Sequence, residues 1–267
     1  MIFQAILLGI IEGLTEFLPI SSTGHLIVAE KMIGYKDTAE LFTVVIQVGA
    51  IFAVLWHYRE QLIKMTIGLF RREKKSLHFW MNWIIATIPV GILGVLLTSK
   101  LSNLATLPII ASALLGGGIL ILLIEKYRKP PVNNGEPKLD QLTPVQSFKV
   151  GCYQTLSLVP GMSRSGATIM GGVMSGLDRV TATAFSFYMS IPVLLLASVY
   201  KLLKDGDKIP TVTGGSSAII AGTITTFIVS LLAINWLLQY VSKHSFKIFA
   251  YYRIAFGLLI FLAIAIS

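Results

Sequence analysis

Glu12 and Glu16 stand four residues apart in an otherwise apolar run, and Pro19-Ile20-Ser21-Ser22-Thr23-Gly24-His25 follows at once. Four residues is one helical turn, so the two carboxylates share a face and repel unless a cation or a shared proton compensates. A second polar string, Pro160-Gly161-Met162-Ser163-Arg164-Ser165-Gly166-Ala167-Thr168, interrupts the chain further on. A shift of 142 positions lays one on the other: Gly9 falls on Gly151, Glu12 on Gln154, Ser21 on Ser163, Thr23 on Ser165 and Gly24 on Gly166, with the prolines one place out. Charged and hydroxylated residues in membrane-grade sequence are costly and mark a functional site by default. The duplication implies that the two strings build one site together.

The residue types limit what that site does. A Glu pair suits Mg²⁺, which takes one or two carboxylates and completes its shell with water and phosphate oxygens. The simpler alternative is two solvated carboxylates lining a vestibule. Ser21, Ser22 and Thr23 sit where hydroxyls cap a helix N-terminus, and one of them is expected to do only that. His25 follows Ser22 by three residues, within expected reach of its hydroxyl. Either Ser22 is a nucleophile with His25 as base, or His25 attacks and Ser22 positions it. Arg164, among serines and glycines at the start of a helical arm, suits a bidentate grip on phosphate. Gly161 and Gly166 allow close backbone approach, and Ser163, Ser165 and Thr168 supply further donors. Two half-helix N-termini aimed at one point favour an anion there. With Arg164 and a metal on Glu12 and Glu16, the natural ligand is a diphosphate. A site reached through the membrane, with no Walker sequence, implies that the diphosphate carries a lipid tail.

The rest of the chain must carry these residues into a bilayer. Hydrophobic residues make up 54% and charged residues 13% of 267 residues, with a mean hydropathy of +0.76, which is the make-up of a polytopic helical membrane protein. The net charge of +9 is concentrated in Arg59–Lys75 and Lys126–Lys138, a positive-inside bias and not a nucleic-acid footprint. Residues 1–18 lack a basic start and run into the first motif, so no cleavable signal peptide is expected. The one cysteine, Cys152, excludes an internal disulfide and is expected to be a small packing residue.

Six apolar runs are long enough to span: Leu41–Tyr58, Phe79–Leu97, Leu107–Ile124, Ala182–Tyr200, Ser217–Tyr240 and Phe249–Ile266. Three follow each motif. The arms Gly24–Gly34 and Gly166–Gly176 reach only roughly 16 Å each at the helical rise, about half the hydrocarbon core. Each motif is therefore predicted to be a re-entrant hairpin. A hairpin plus three spans crosses an odd number of times, so the halves lie inverted and their hairpins meet near the midplane. The expected fold is an all-α polytopic membrane protein forming one domain over 1–267: repeat one at 1–125, a Pro- and Asn-rich linker at 126–141 and repeat two at 142–267. In that arrangement both termini and the mouth of the first hairpin face outside. Eight full spans with parallel halves is the rival. Gln47 is expected to bridge helices, with lining the cavity as the alternative, Arg253 beside Tyr251 and Tyr252 to anchor at the interface, His57, His78 and His244 to be interfacial, and Gly116-Gly117-Gly118 to permit close packing.

At Glu12-x-x-x-Glu16, Pro19–His25 and Pro160–Thr168 the chain resembles the bacterial undecaprenyl-diphosphate phosphatases, the bacitracin-resistance family, and the likeness runs its whole length. The resemblance implies hydrolysis of undecaprenyl diphosphate to the monophosphate and phosphate in the bacterial cytoplasmic membrane, recycling the carrier for cell-wall polymers, with Mg²⁺ or Ca²⁺. It makes Glu12 and Glu16 the metal or proton-handling pair, Ser22 and His25 the nucleophile and base candidates, and Arg164 the diphosphate clamp assisted by Ser163 and Thr168. It leaves a homodimer open. The competing reading is an inverted-repeat transporter or flippase for a lipid phosphate, which needs binding groups but no nucleophile. A serine–arginine–histidine phosphatase of the acid-phosphatase type is disfavoured, because the next histidine after Arg164 is His244.

Overall fold

Long runs of leucine, isoleucine, valine and alanine can satisfy their backbone in lipid only as helices, and helices are what the chain forms. The computed structural model describes residues 1–37, 40–101, 104–128, 130–131 and 136–266, and contains no strand among them. Eleven α-helices follow in order: α1 (Ile2–Thr15), α2 (Ser22–Ile33), α3 (Leu41–His57), α4 (Arg59–Phe70), α5 (Lys74–Leu101), α6 (Leu107–Tyr127), α7 (Pro144–Gln154), α8 (Arg164–Met174), α9 (Arg179–Asp205), α10 (Gly215–Lys243) and α11 (Lys247–Ile266). The six apolar runs of the sequence form α3, α5, α6, α9, α10 and α11, with only Tyr58 of the first run lying beyond its helix. Of these, α5, α6, α9, α10 and α11 are long and apolar enough to cross a membrane, and α3 makes a sixth candidate span when joined to α4. Their outer faces are apolar too: Ile220, Ile224, Ile228 and Leu232 form an exposed stripe at one-turn intervals along α10. In water that stripe would be a liability; against lipid it is the expected surface. The protein is an all-α, multi-pass membrane protein.

The motif-bearing helices are short. At 14, 12, 11 and 11 residues, α1, α2, α7 and α8 each fall below the roughly 20 residues that a span needs. The 142-residue shift that aligns the motifs also superimposes helix on helix, α1 on α7, α2 on α8, α3 on α9, α5 on α10 and α6 on α11. The halves interlock, since α1 packs on α10, α7 on α5, α3 on α9 and α6 on α11. Gly9 and Gly151, matched in sequence, serve matched contacts. A Cβ on Gly9 would lie 2.7 Å from the Gly222 carbonyl oxygen of α10, and one on Gly151 would collide with the Ala86 carbonyl of α5. Because backbone cannot step aside as a side chain can, Gly151→Ala is expected to lower stability by about 1–3 kcal/mol through overpacking. Gly116→Ala, which meets nothing within 4 Å, is expected to leave it unchanged or slightly raised. Thermal unfolding in detergent reads both, and equal melting temperatures would remove the close-packing account of Gly151.

Pro192 lies inside α9 and leaves the carbonyl of Tyr188, four residues back, without its helical donor. Trp83 Nε1 of α5 donates to that oxygen at 2.8 Å, so the proline's gap becomes an interhelix bond beside the site.

Several expectations change. Arg59–Phe70, read as part of a basic loop, is the helix α4, bent 73° from α3. Its apolar residues Ile63, Ile67 and Phe70 recur at helical spacing among lysines and arginines, which hides the helix from a hydropathy reading. Cys152 is exposed, because α7 turns its neighbour Gly151 towards α5. His57, His78 and His244 lie at or near helix ends. Of the linker, residue 129 and residues 132–135, including Asn133-Asn134-Gly135, lie outside the described residues.

Candidate active site

Two matched turns bring the chemistry together. α1 ends at Thr15 and α2 restarts at Ser22; α7 ends at Gln154, passes through a 3₁₀ turn at Thr155–Leu158, and α8 starts at Arg164. The residue capping each returning helix is a serine with positive φ, 74° at Ser21 and 70° at Ser163. Each serine Oγ accepts the N–H three residues on, from Gly24 at 3.4 Å and from Gly166 at 3.0 Å. A left-handed serine costs of order 1–3 kcal/mol and persists only where its surroundings fix it. Gly161 (φ 92°) makes the second tip possible, since a side chain there would meet both this strain and the Ile110 carbonyl oxygen at 2.7 Å. Ser22 and Arg164 thus occupy equivalent positions, each the first residue of a half-helix.

The two tips meet across Glu16. Its Oε2 accepts a 2.5 Å hydrogen bond from Ser22 Oγ, and its Oε1 accepts one of 2.9 Å from Arg164 Nη2. The ion pair is dry, with side-chain exposures of 9% for Arg164 and 5% for Glu16. Arg164 is fixed from behind, donating through Nη1 to the Ser186 carbonyl at 2.9 Å, and its guanidinium lies 5.9 Å from the Phe17 ring. Arg164 Nε makes no hydrogen bond among the described residues. Beside this wiring is a cavity of about 200 Å³ lined by Glu16, Ser21, Ser22, Thr23, Gln47, Gly161, Ser163 and Arg164, with Val90, Val193 and Leu194 on its apolar side.

The other candidate residues divide. Thr23, Gly161 and Ser163 reach the cavity with Ser21. Ser165 and Thr168 do not. Ser165 Oγ donates to the Leu18 carbonyl at 2.8 Å, joining the second tip to the first, and Thr168 Oγ1 is bonded to Ser186 Oγ at 2.6 Å. Both are fully buried. Glu12 lies one turn before Glu16, fully buried, and neither of its oxygens makes a well-formed hydrogen bond among the described residues. Glu16 and Gln47 are its polar neighbours. Gln47 takes the alternative to bridging helices and lines the cavity, because α3 presents it towards the hairpin tips.

His25 is not paired with Ser22. Its Nδ1 is 2.7 Å from the Ser21 carbonyl oxygen and its Nε2 is 2.6 Å from Tyr252 Oη, with the ring stacked on Phe256. The carbonyl can only accept, so Nδ1 carries the proton and Nε2 accepts from the tyrosine. The cause is helical spacing, since the ring lies one turn from Ser21 and folds back on it. Arg253, expected at the interface, is 1% exposed inside the bundle, where its donors bind backbone carbonyls of both tips. Ser186 was not among the residues singled out in the sequence, and Tyr252 was named there only as a neighbour of Arg253 at the interface. For Arg253 there was a signal, a lone charge in the apolar run 249–266.

A model of the family described as bacitracin resistance protein BacA matches residues 5–259. The chain belongs to this family. Among similar curated proteins, undecaprenyl-diphosphatase 1 of Burkholderia cenocepacia (strain HI2424) is 44% identical over 268 residues, covering 98% of this chain and 95% of that protein. Undecaprenyl-diphosphatase 1 of Burkholderia ambifaria matches equally well, and undecaprenyl-diphosphatase of Burkholderia mallei (strain SAVP1) is 43% identical over the same length. The matched stretch spans both hairpins.

Proposed function

We propose that the chain hydrolyses undecaprenyl diphosphate to undecaprenyl phosphate and phosphate, with Ser22 as nucleophile, Glu16 as its base and Arg164 as the phosphoryl clamp. One observation carries the reading: a single carboxylate from one hairpin holds the Ser22 hydroxyl and the Arg164 guanidinium together at the wall of a cavity. The relatives' name, undecaprenyl-diphosphatase, supplies the substrate and agrees with that chemistry.

The steps follow from the residues. Glu16 Oε2 takes the Ser22 proton as Oγ attacks the terminal phosphorus in line. The bond from that phosphorus to the bridging oxygen breaks, and the lipid monophosphate leaves. Arg164 and the amide ends of α2 and α8 face the charge that gathers on the phosphoryl oxygens. Water then releases phosphate from Ser22. A cavity of about 200 Å³ admits a headgroup and leaves the prenyl chain outside. An apolar groove of about 340 Å³ lined by Trp83, Ile84, Ile88, Ile92 and Pro192, on the same α5 and α9 that wall the cavity, is the natural continuation for it.

A divalent cation, Mg²⁺ or Ca²⁺, fits at Glu12 and Glu16. A fully buried carboxyl whose two oxygens make no well-formed hydrogen bond among the described residues calls for a cation or a proton. Among the described residues no group of three or more His, Cys, Asp or Glu side chains could hold a metal ion, so substrate and water oxygens would complete the shell. When bound, the ion would neutralise phosphate charge. Inverted halves are supported by the short motif helices and the exchanged packing partners, and the basic residues around α4 support an outward-facing site in the cytoplasmic membrane. A carrier has no use for the Ser22–Glu16 bond.

The test is phosphate release from undecaprenyl diphosphate by detergent-purified protein. Release that EDTA stops and Mg²⁺ or Ca²⁺ restores is expected. Well-folded protein that binds the lipid yet releases nothing with either ion would end the enzyme reading, and chelator-resistant release would end the metal assignment.

A further inference from the structure

A buried arginine without a carboxylate partner is among the costliest groups a bundle can hold, because a desolvated charge needs close compensation. Arg253 of α11 is 1% exposed and has no ion-pair partner among the described residues. Its guanidinium offers five N–H donors in a fixed fork, and all five are directed at backbone carbonyls. Nη1 donates to Pro19 at 3.2 Å and Met162 at 3.0 Å, Nη2 to Gly161 at 3.2 Å and Ala113 at 3.0 Å, and Nε to Leu114 at 3.4 Å. Three of these oxygens belong to the hairpin tips: Pro19 stands three residues before Ser22, and Gly161 and Met162 immediately precede the Ser163–Arg164 turn. The other two belong to α6, where Gly117 clears the way, since a Cβ there would collide with Arg253 Nη2.

Neither tip has a regular ladder to fix it, and both hold serines at positive φ. From this geometry we infer that Arg253 is a positioning residue for the reaction, one cation that ties both hairpin tips to α6 and so sets the placement of Ser22 against Arg164. The inference rests on the proposed phosphatase reading for its kinetic consequence but not for its structural one. It touches no reacting atom. Its effect passes through the Pro19 carbonyl to the Ser22 turn and through the Gly161 and Met162 carbonyls to the Arg164 turn. Misplacing reacting groups by about 1 Å costs on the order of 100-fold in rate.

Two variants probe it. Arg253→Lys keeps the charge but cannot span five carbonyls, and Gly117→Ala keeps the arginine but pushes its fork aside. Each is expected to lower kcat about 10- to 100-fold per folded molecule with KM within about threefold, the pattern of lost orientation and not of lost binding. The double variant should be no worse than Arg253→Lys alone, because both remove one interaction. Hydrogen–deuterium exchange over residues 17–25 and 157–166 should quicken at both tips together. That arm is independent of activity, and Gly117→Ala serves if Arg253→Lys does not fold. Wild-type kcat in both variants, a change confined to KM, or faster exchange at one tip only would overturn the tie. A wild type that releases no phosphate would instead remove the enzyme reading, leaving exchange to decide the tie.

Discussion

Ser22→Ala is expected to lower kcat for phosphate release by at least about 10³-fold while leaving KM within a few-fold. The hydroxyl donates to Glu16 Oε2 at 2.5 Å and stands on the cavity wall at the first position of α2, where helix amides converge. Truncation removes the proposed attacking oxygen but leaves Arg164, the helix ends and Glu16 in place, so lipid binding is expected to survive. The measurement pairs steady-state kinetics with acid quenching of enzyme mixed with substrate labelled in its terminal phosphate. Wild type should carry an acid-stable, alkali-labile phosphoserine at residue 22, and the variant none. An acid-labile, alkali-stable label on His25 in a parallel alkali-quenched sample, or a variant retaining more than about a tenth of the rate, would take the nucleophile's role from Ser22. The distinction matters because His25 has both ring nitrogens engaged elsewhere. To attack, it would have to leave Tyr252 and unstack from Phe256.

That contrast shows what a sequence of this kind discloses. Glu16, Ser22 and Arg164 were legible because each is expensive in apolar surroundings, and the duplicated spacing placed them in matched segments. The spans were legible for the same reason reversed, since runs such as Ser217–Tyr240 have no alternative to a buried or lipid-facing helix. What spacing does not encode is which of several close partners a side chain takes. His25 can face Ser22 in sequence and still turn back one helical turn to the Ser21 carbonyl. Ser165 and Thr168 have the types of phosphate donors, yet their hydroxyls hold the Leu18 carbonyl and Ser186 instead. Arg253 was the hardest to place, because its partners are backbone carbonyls up to 234 residues away. Any residue type supplies a carbonyl, so no motif announces such a contact. Helix α4 escaped notice for a different reason, its mixture of basic and apolar residues averaging to the hydropathy of a loop.

Arg164→Ala should be both inactive and unstable, and the two effects can be separated. The ion pair with Glu16 is nearly dry, so removing one partner strands a carboxylate and costs about 3–5 kcal/mol, more than a well-packed apolar replacement of the whole pair. Glu16→Gln with Arg164→Met removes both charges, and its melting temperature should recover most of what Arg164→Ala loses. Activity should not recover, because the proposed clamp and base are both gone. Arg164→Lys tests geometry at constant charge. A single ammonium cannot hold Glu16 Oε1 and the Ser186 carbonyl, each now 2.9 Å from its own guanidinium nitrogen, and still face a phosphoryl oxygen. Its kcat should fall about 10²- to 10³-fold, with a smaller loss of stability than in Arg164→Ala. Calorimetry in detergent beside phosphate release separates the terms. Near wild-type turnover in Arg164→Lys would mean that the arginine contributes charge alone. An active double variant would mean that the Glu16–Arg164 pair holds the hairpins together and takes no part in the chemistry.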